Sequence, residues 1–144
     1  MGVLPAQFET DQLWLRACFP DDHLRNEFLR STHWKMALLG SSGGPGMFNH
    51  WDVIRTSSWQ VQTKGRKRWH ICSPSQHGLM YDAGKVDTFH PDYERAPRFR
   101  QARCYLDTVG PGEALYYPMD WWHQTESLDE TVSISASIAD SLNY

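Results

Sequence analysis

The last strand-length run of the chain constrains its fold more than any other feature. Residues 131–138 read TVSISASI. On an extended chain, successive side chains leave opposite faces. Thr131, Ser133, Ser135 and Ser137 therefore share one side, and Val132, Ile134, Ala136 and Ile138 share the other. Helical winding would mix the two sets. Seven further short β-rich runs lie at 33–39, 47–54, 59–63, 67–72, 104–109, 114–117 and 122–127. In the first of them Trp34, Met36 and Leu38 share a face. One helix is predicted, opening at Phe19-Pro20-Asp21-Asp22, where carboxylates meet the positive end of the helix dipole. Leu24, Phe28 and Leu29 follow at helical spacing, and the helix should end near Ser31-Thr32. The chain is thus expected to be mainly β, a jelly roll or related barrel with a short N-terminal helical segment.

Turn residues divide the runs. Residues 40–46 (GSSGGPG) form a flexible loop, Lys64-Gly65-Arg66 reads as a hairpin turn between 59–63 and 67–72, and Gly110-Pro111-Gly112 joins the next two runs. Residues 73–103 are polar, carry Pro74, Pro91 and Pro97, and lack periodicity. A connection this long is usually functional or disordered, and it reads as an insertion over one end of a sheet. With 144 residues there is room for one domain, divided into a helical cover at 1–32 and a β core at 33–144.

Charge and composition remove several classes. Fourteen Lys and Arg against seventeen Asp and Glu leave no overall basic footprint for nucleic acid. No apolar run approaches the roughly 18 residues of a membrane span. Glu9 and Asp11 stand where a signal peptide keeps an apolar core, and Ala6 breaks the myristoylation pattern. Cys18, Cys72 and Cys104 are odd in number and far apart, with no C-x-x-C. They read as buried free thiols of a reducing compartment, hence an intracellular protein of nucleus or cytoplasm.

His50-Trp51-Asp52 carries the first chemical signal. On a strand, positions i and i+2 leave the same face about 7 Å apart at Cα, so an imidazole and a carboxylate can converge on one ion. A third ligand from a neighbouring strand would complete a two-histidine, one-carboxylate facial triad, the pattern of non-haem Fe(II). Alone the motif is weak, since seven His and seventeen acidic residues yield roughly one such match by chance. The chain contains a second, His90-Pro91-Asp92, as a control. Pro91 removes a ladder donor there, and the segment reads as a loop. His23, His33 and His77 have no partner pattern. His70 alternates away from Lys67 and Trp69 and reads as structural.

Context lifts His50 above its control. A Gly-rich loop precedes it, and the run Gly65 to Trp69 (GRKRW) follows. Far downstream comes PGEALYYPMDWWH, from Pro111 to His123. In the order and spacing of these three pieces the chain resembles the JmjC family of Fe(II)- and 2-oxoglutarate-dependent oxygenases, within the cupin superfamily, over about residues 34–138. The resemblance implies a double-stranded β-helix. It implies His50, Asp52 and His123 as iron ligands and Lys67 as partner of the distal carboxylate of 2-oxoglutarate. It points to Ser135, and more loosely Gln60, as further co-substrate contacts. A dianionic co-substrate needs such a cation, because a buried unpaired carboxylate is costly. The implied activity is that of a dioxygenase hydroxylating a protein or peptide side chain. The alternatives are N-methyl-lysine or -arginine (histone) demethylation and a catalytically inactive cupin-like binding module.

Overall fold

The computed structural model describes residues 13–32, 35–52 and 55–138. The expectations for the extreme N-terminus, for His33 and Trp34, and for Ile54 lie outside the described residues. Among the described residues two helices come first, α1 (Leu13–Cys18) and α2 (Asp22–Thr32). The second matches the predicted helix; the first was not anticipated. Asp21 caps α2, its Oδ1 accepting from the Leu24 amide at 2.9 Å. That satisfies one of the donors a helix start leaves free. Phe19 stacks on Phe28 at 4.8 Å between ring centroids.

Seven strands follow among the described residues: β1 (Lys35–Gly40), β2 (Ser57–Lys64), β3 (Lys67–Cys72), β4 (Tyr105–Val109), β5 (Ala114–Tyr117), β6 (Trp122–Ser127) and β7 (Thr131–Ile138). They form two antiparallel sheets, ordered β1-β7-β2-β5 and β4-β3-β6. The jelly-roll expectation is borne out.

One expectation about connections needs correction. The Lys64-Gly65-Arg66 turn does not close a hairpin. β2 pairs with β5 and β7, while β3 pairs with β4 and β6, so the turn carries the chain from one sheet to the other. Gly110 to Gly112 does the same between β4 and β5. A tight turn fixes only where the chain reverses; pairing is decided by which faces bury together. Gly65 is required at its corner, because its φ is +68° and a Cβ there would stand 2.2 Å from the Glu130 carbonyl oxygen.

The described part of the run predicted at 47–54, residues 47–52, is likewise not a regular strand. The chain from Gly43 to His50 lies along the free edge of β6 as an irregular extension of the second sheet. Amides of Gly43 and Gly46 donate to the carbonyls of Ser127 and Thr125, each at 2.9 Å. His50 and His123 exchange both backbone bonds, at 3.1 and 2.7 Å. Proline and several glycines prevent a continuous ladder, yet glycine permits the close approach: a Cβ on Gly46 would sit 2.1 Å from Thr125 Oγ1.

Residues 73–103 contain short helical turns at Pro74–Gln76 and Pro97–Gln101 and a one-turn helix, α3 (His77–Met80). They cover the outer face of the three-stranded sheet. Met80, Val86, Ala96 and Phe99 are buried there against Cys72 and Trp122. Cys72 and Cys104 form a disulfide, which corrects the free-thiol expectation for two of the three cysteines; Cys18 is free but exposed rather than buried. Their separation of 32 positions hid the pairing. β3 and β4 are antiparallel neighbours with Ile71 opposite Tyr105, so the next residue on one strand meets the preceding residue on the other. No helix among the described residues is long and apolar enough to cross a membrane.

The hydroxyl face of β7 points inward. Thr131, Ser133, Ser135 and Ser137 are all buried, whereas Val132, Ile134 and Ile138 are half-exposed. That inversion of the usual strand pattern means the space between the sheets is not a dry core at this end, and it leads to the site.

Candidate metal and co-substrate site

A cavity of about 640 Å³ opens between the sheets. Its walls include His50, Asp52, Gln60, Lys67, Tyr117, His123 and Ser135. All six residues singled out from the sequence thus face one space.

His50 and His123 are held side by side by their shared backbone bonds, with ring centroids 4.2 Å apart. Asp52 Oδ1 lies 3.7 Å from His50 Nε2 and 4.0 Å from His123 Nε2. One ligand atom from each residue falls within 4.8 Å of the others. A single ion with bonds of about 2.0–2.2 Å spans such gaps.

Supporting contacts orient every member. The Nδ1 atoms of His50 and His123 lie 2.6 Å and 3.0 Å from the carbonyl oxygens of Phe48 and Trp121. A carbonyl can only accept, so each Nδ1 carries its hydrogen and donates. Each Nε2 is left with its lone pair toward the other ligands, the arrangement metal-binding histidines use. Ser58 Oγ donates to Asp52 Oδ2 at 3.1 Å, leaving Oδ1 for the centre. Burial first, and then the neighbouring His50, push the His123 imidazole down to about 4, against the opposing pull of Asp52 and the Trp121 carbonyl. It therefore stays neutral, the form that binds metal. Two imidazoles and one carboxylate with open positions suit divalent iron.

Lys67 is the second notable element. It is 5% exposed, and its Nζ donates to Gln60 Oε1 at 3.1 Å and Ser133 Oγ at 2.8 Å. Among the described residues no carboxylate pairs with it, and burial alone lowers its pKa from the usual lysine value. A buried cation held by neutral acceptors fits an incoming anion. Its neighbours Arg66 and Arg68 point away, to Asp129 and Glu126.

Ser135 donates its hydroxyl to the Trp59 carbonyl at 3.0 Å, whereas Ser133, two residues earlier on the same face, touches Lys67. Sequence reasoning did not single out Tyr117. Burial and then the Asp52 charge push its phenol up to about 12, although hydrogen bonds with Ser58 and Ser135 pull the other way. It is therefore a neutral hydroxyl beside the triad. Its register opposite Ser58, once β2 and β5 are paired, is the signal that would have found it.

A two-sheet antiparallel β scaffold with an inward His-Asp-His cluster and a buried lysine on the same cavity defines a cupin-type metal-site domain. The chain belongs to the cupin-like domain family, whose model matches residues 23–138. HSPB1-associated protein 1 of Bos taurus is 39% identical over 88 residues, covering 54% of this chain and 18% of that protein. Arginine-specific demethylase JMJ20 of Arabidopsis thaliana is 32% identical over 65% of this chain and 22% of its own length. The 2-oxoglutarate and iron-dependent oxygenase JMJD4 of Homo sapiens is 31% identical over 98% of this chain and 33% of its own. The resemblance to JmjC-type oxygenases is borne out by these relatives, of which the chain spans between 18% and 33%.

Proposed function

We propose that this chain is the catalytic core of an Fe(II)- and 2-oxoglutarate-dependent oxygenase that hydroxylates a protein side chain. The observation that carries this reading is Lys67, a buried cation without a counter-charge among the described residues, on the same cavity as the His50, Asp52 and His123 cluster. The triad supplies the metal ligands. Lys67, with Gln60 and Ser133 beside it, receives the distal carboxylate of 2-oxoglutarate, and Ser135 and Tyr117 line the co-substrate's wall. Bound iron and 2-oxoglutarate supply the oxidising chemistry: substrate C–H, O2 and 2-oxoglutarate become C–OH, succinate and CO2. The chain's own residues orient the ligands, pair the carboxylate and exclude water.

Hydroxylation is favoured over demethylation by the lining of the cavity. Its exposed end is formed by Met36, Leu39, Met47 and Phe48, and Asp52, a metal ligand in this reading, is its only carboxylate among the described residues. A methylammonium or guanidinium group would find no second acid to pair with. The test is conversion of 2-oxoglutarate to succinate by anaerobically loaded protein on exposure to oxygen. Turnover in wild type and its loss in Asp52→Ala are expected. Absent turnover, or turnover unaffected by Asp52→Ala, overturns the reading and favours a binding module. Formaldehyde released from methylated peptides would instead establish the demethylase alternative, the activity in the name of the Arabidopsis relative.

A further inference from the structure

A second cluster of side chains of metal-ligating type lies on the outer face of the three-stranded sheet, away from the cavity that holds the first. β3 is two-faced. Lys67 and Trp69 point into the cavity, while His70 and Cys72 point outward, under residues 73–103. Cys104, just before β4, reaches the same spot. His70 Nδ1 lies 3.6 Å from Cys72 Sγ, and the ligand atoms of His70, Cys72 and Cys104 all fall within 4.8 Å of one another. The ring of His70 is boxed by Phe89 and Phe99, at 6.1 and 6.2 Å between centroids.

We propose that Cys72, Cys104 and His70 form a redox-gated binding site for a thiophilic divalent metal of the zinc class, closed as a disulfide in the oxidised protein and open to metal in the reduced one. Two thiolates and an imidazole are the donor set of soft-metal sites, with the fourth tetrahedral position left to water. A dithiol reductant supplies two electrons and two protons to break the Cys72–Cys104 bond, giving two thiols while the reductant becomes a disulfide. Metal then displaces both thiol protons to solvent. Burial keeps the His70 imidazole neutral by lowering its pKa, so no proton need leave it.

The location gives the site a purpose. Cys72 is the last residue of β3 and Cys104 immediately precedes β4, so the pair ties together the two ends of the 73–103 insertion. A disulfide and a bridging metal are two ways to hold that base closed. Reduced, metal-free protein is the one state in which it is released. Cys72 also sits opposite Trp122, the neighbour of His123 in the chain. The proposal does not rest on the oxygenase reading, because neither ligand set borrows from the other.

The test uses Co(II) as a probe on the whole chain, reduced with a dithiol and freed of it anaerobically. A thiolate-to-cobalt charge-transfer band in the near ultraviolet is expected in reduced wild type. The His50-Asp52-His123 cluster has no sulfur and cannot produce that band. The band should persist in His50→Ala and in Cys18→Ser. It should be absent from oxidised protein and from the double variant Cys72→Ser/Cys104→Ser. Should that double variant not fold, alkylation of reduced wild type, mapped by mass, decides the matter. Zn(II) should protect Cys72 and Cys104 and leave Cys18 reactive. No band in reduced wild type, a band that survives loss of both cysteines, or equal alkylation with and without Zn(II) overturns the proposal.

Discussion

Replacing Lys67 by Met should separate the stability of the fold from the affinity of its cavity. Methionine is unbranched and of similar length, so it fills much of the space the lysine stem occupies. In the metal-free protein the change removes a cation that burial disfavours and whose described partners are the neutral groups Gln60 and Ser133. It also strips Gln60 Oε1 of its donor, which costs about 1–3 kcal/mol if no water replaces it. These effects oppose one another, and thermal unfolding should shift by no more than a few degrees. Co-substrate binding should respond differently. A hydrogen bond to a charged group is worth about 1.5–3 kcal/mol, or roughly 10- to 150-fold in affinity. Calorimetric titration of 2-oxoglutarate into Mn(II)-loaded protein reads that loss directly. The pH dependence has a defined sign. Because the folded pKa of Lys67 is lowered, the unfolded chain binds more protons between that value and the ordinary 10.5. The lysine's contribution to stability therefore rises with pH through this window, while affinity for the dianion falls. Lys67→Met should abolish both trends. Arg66→Ala and Arg68→Ala should change affinity by less than about threefold, since each arginine pairs with an acid outside the cavity. A loss below threefold for Lys67→Met, or an equal loss for Arg68→Ala, would refute the reasoning.

Ser58→Ala should weaken metal binding by about 10- to 100-fold without removing a ligand, because Asp52 loses the donor that aims it; Ser58→Thr should restore it, and unchanged metal affinity in the alanine variant would show that Asp52 is aimed by other means. Ser133→Ala and Ser135→Ala, titrated with 2-oxoglutarate side by side, identify which hydroxyl serves the carboxylate. A loss of about 2- to 13-fold, one neutral hydrogen bond, is expected at Ser133 because its oxygen already faces Lys67; a loss confined to Ser135 would move the contact along β7 by two residues. Gly65→Ala should cost at least about 1 kcal/mol of stability, read as a lower urea midpoint, since positive φ and a 2.2 Å clash act together; an unchanged midpoint would mean that the corner yields freely.

Patterns that are local in sequence were legible, and those that depend on closure were not. The alternation at 131–138 identified β7, and the Phe19-to-Thr32 signals identified α2, because both are written in consecutive residues. Four of the six cavity residues, His50, Asp52, Lys67 and His123, were legible in three short motifs whose spacing is characteristic of the family, whereas Gln60 and Ser135 lie outside those motifs and were implied only by the resemblance. The sheet partners of β2 and β3 were not, because a Gly-containing turn looks the same whether it closes a hairpin or crosses between sheets. The Cys72–Cys104 bond was hidden for the same reason: it follows from pairing β3 with β4 across an insertion. The direction of β7 was not legible in its own pattern. Period two says only that the hydroxyls share a face; that this face looks inward was implied by the resemblance, through Ser135, and all four hydroxyl residues are buried.

Because consecutive strands repeatedly change sheets, almost nothing near the metal cluster forms by local folding. Lys35 meets Ala136 across the first sheet, and Ser135 bonds to Trp59 from 76 positions away. Such contacts require large loops to close before they are rewarded, so this topology belongs among the slow folders. His50 and His123 come together only when the chain's early edge has docked on β6. Metal capture during refolding is therefore a clock for the last stage of assembly, and partly folded chains should be blind to the ion.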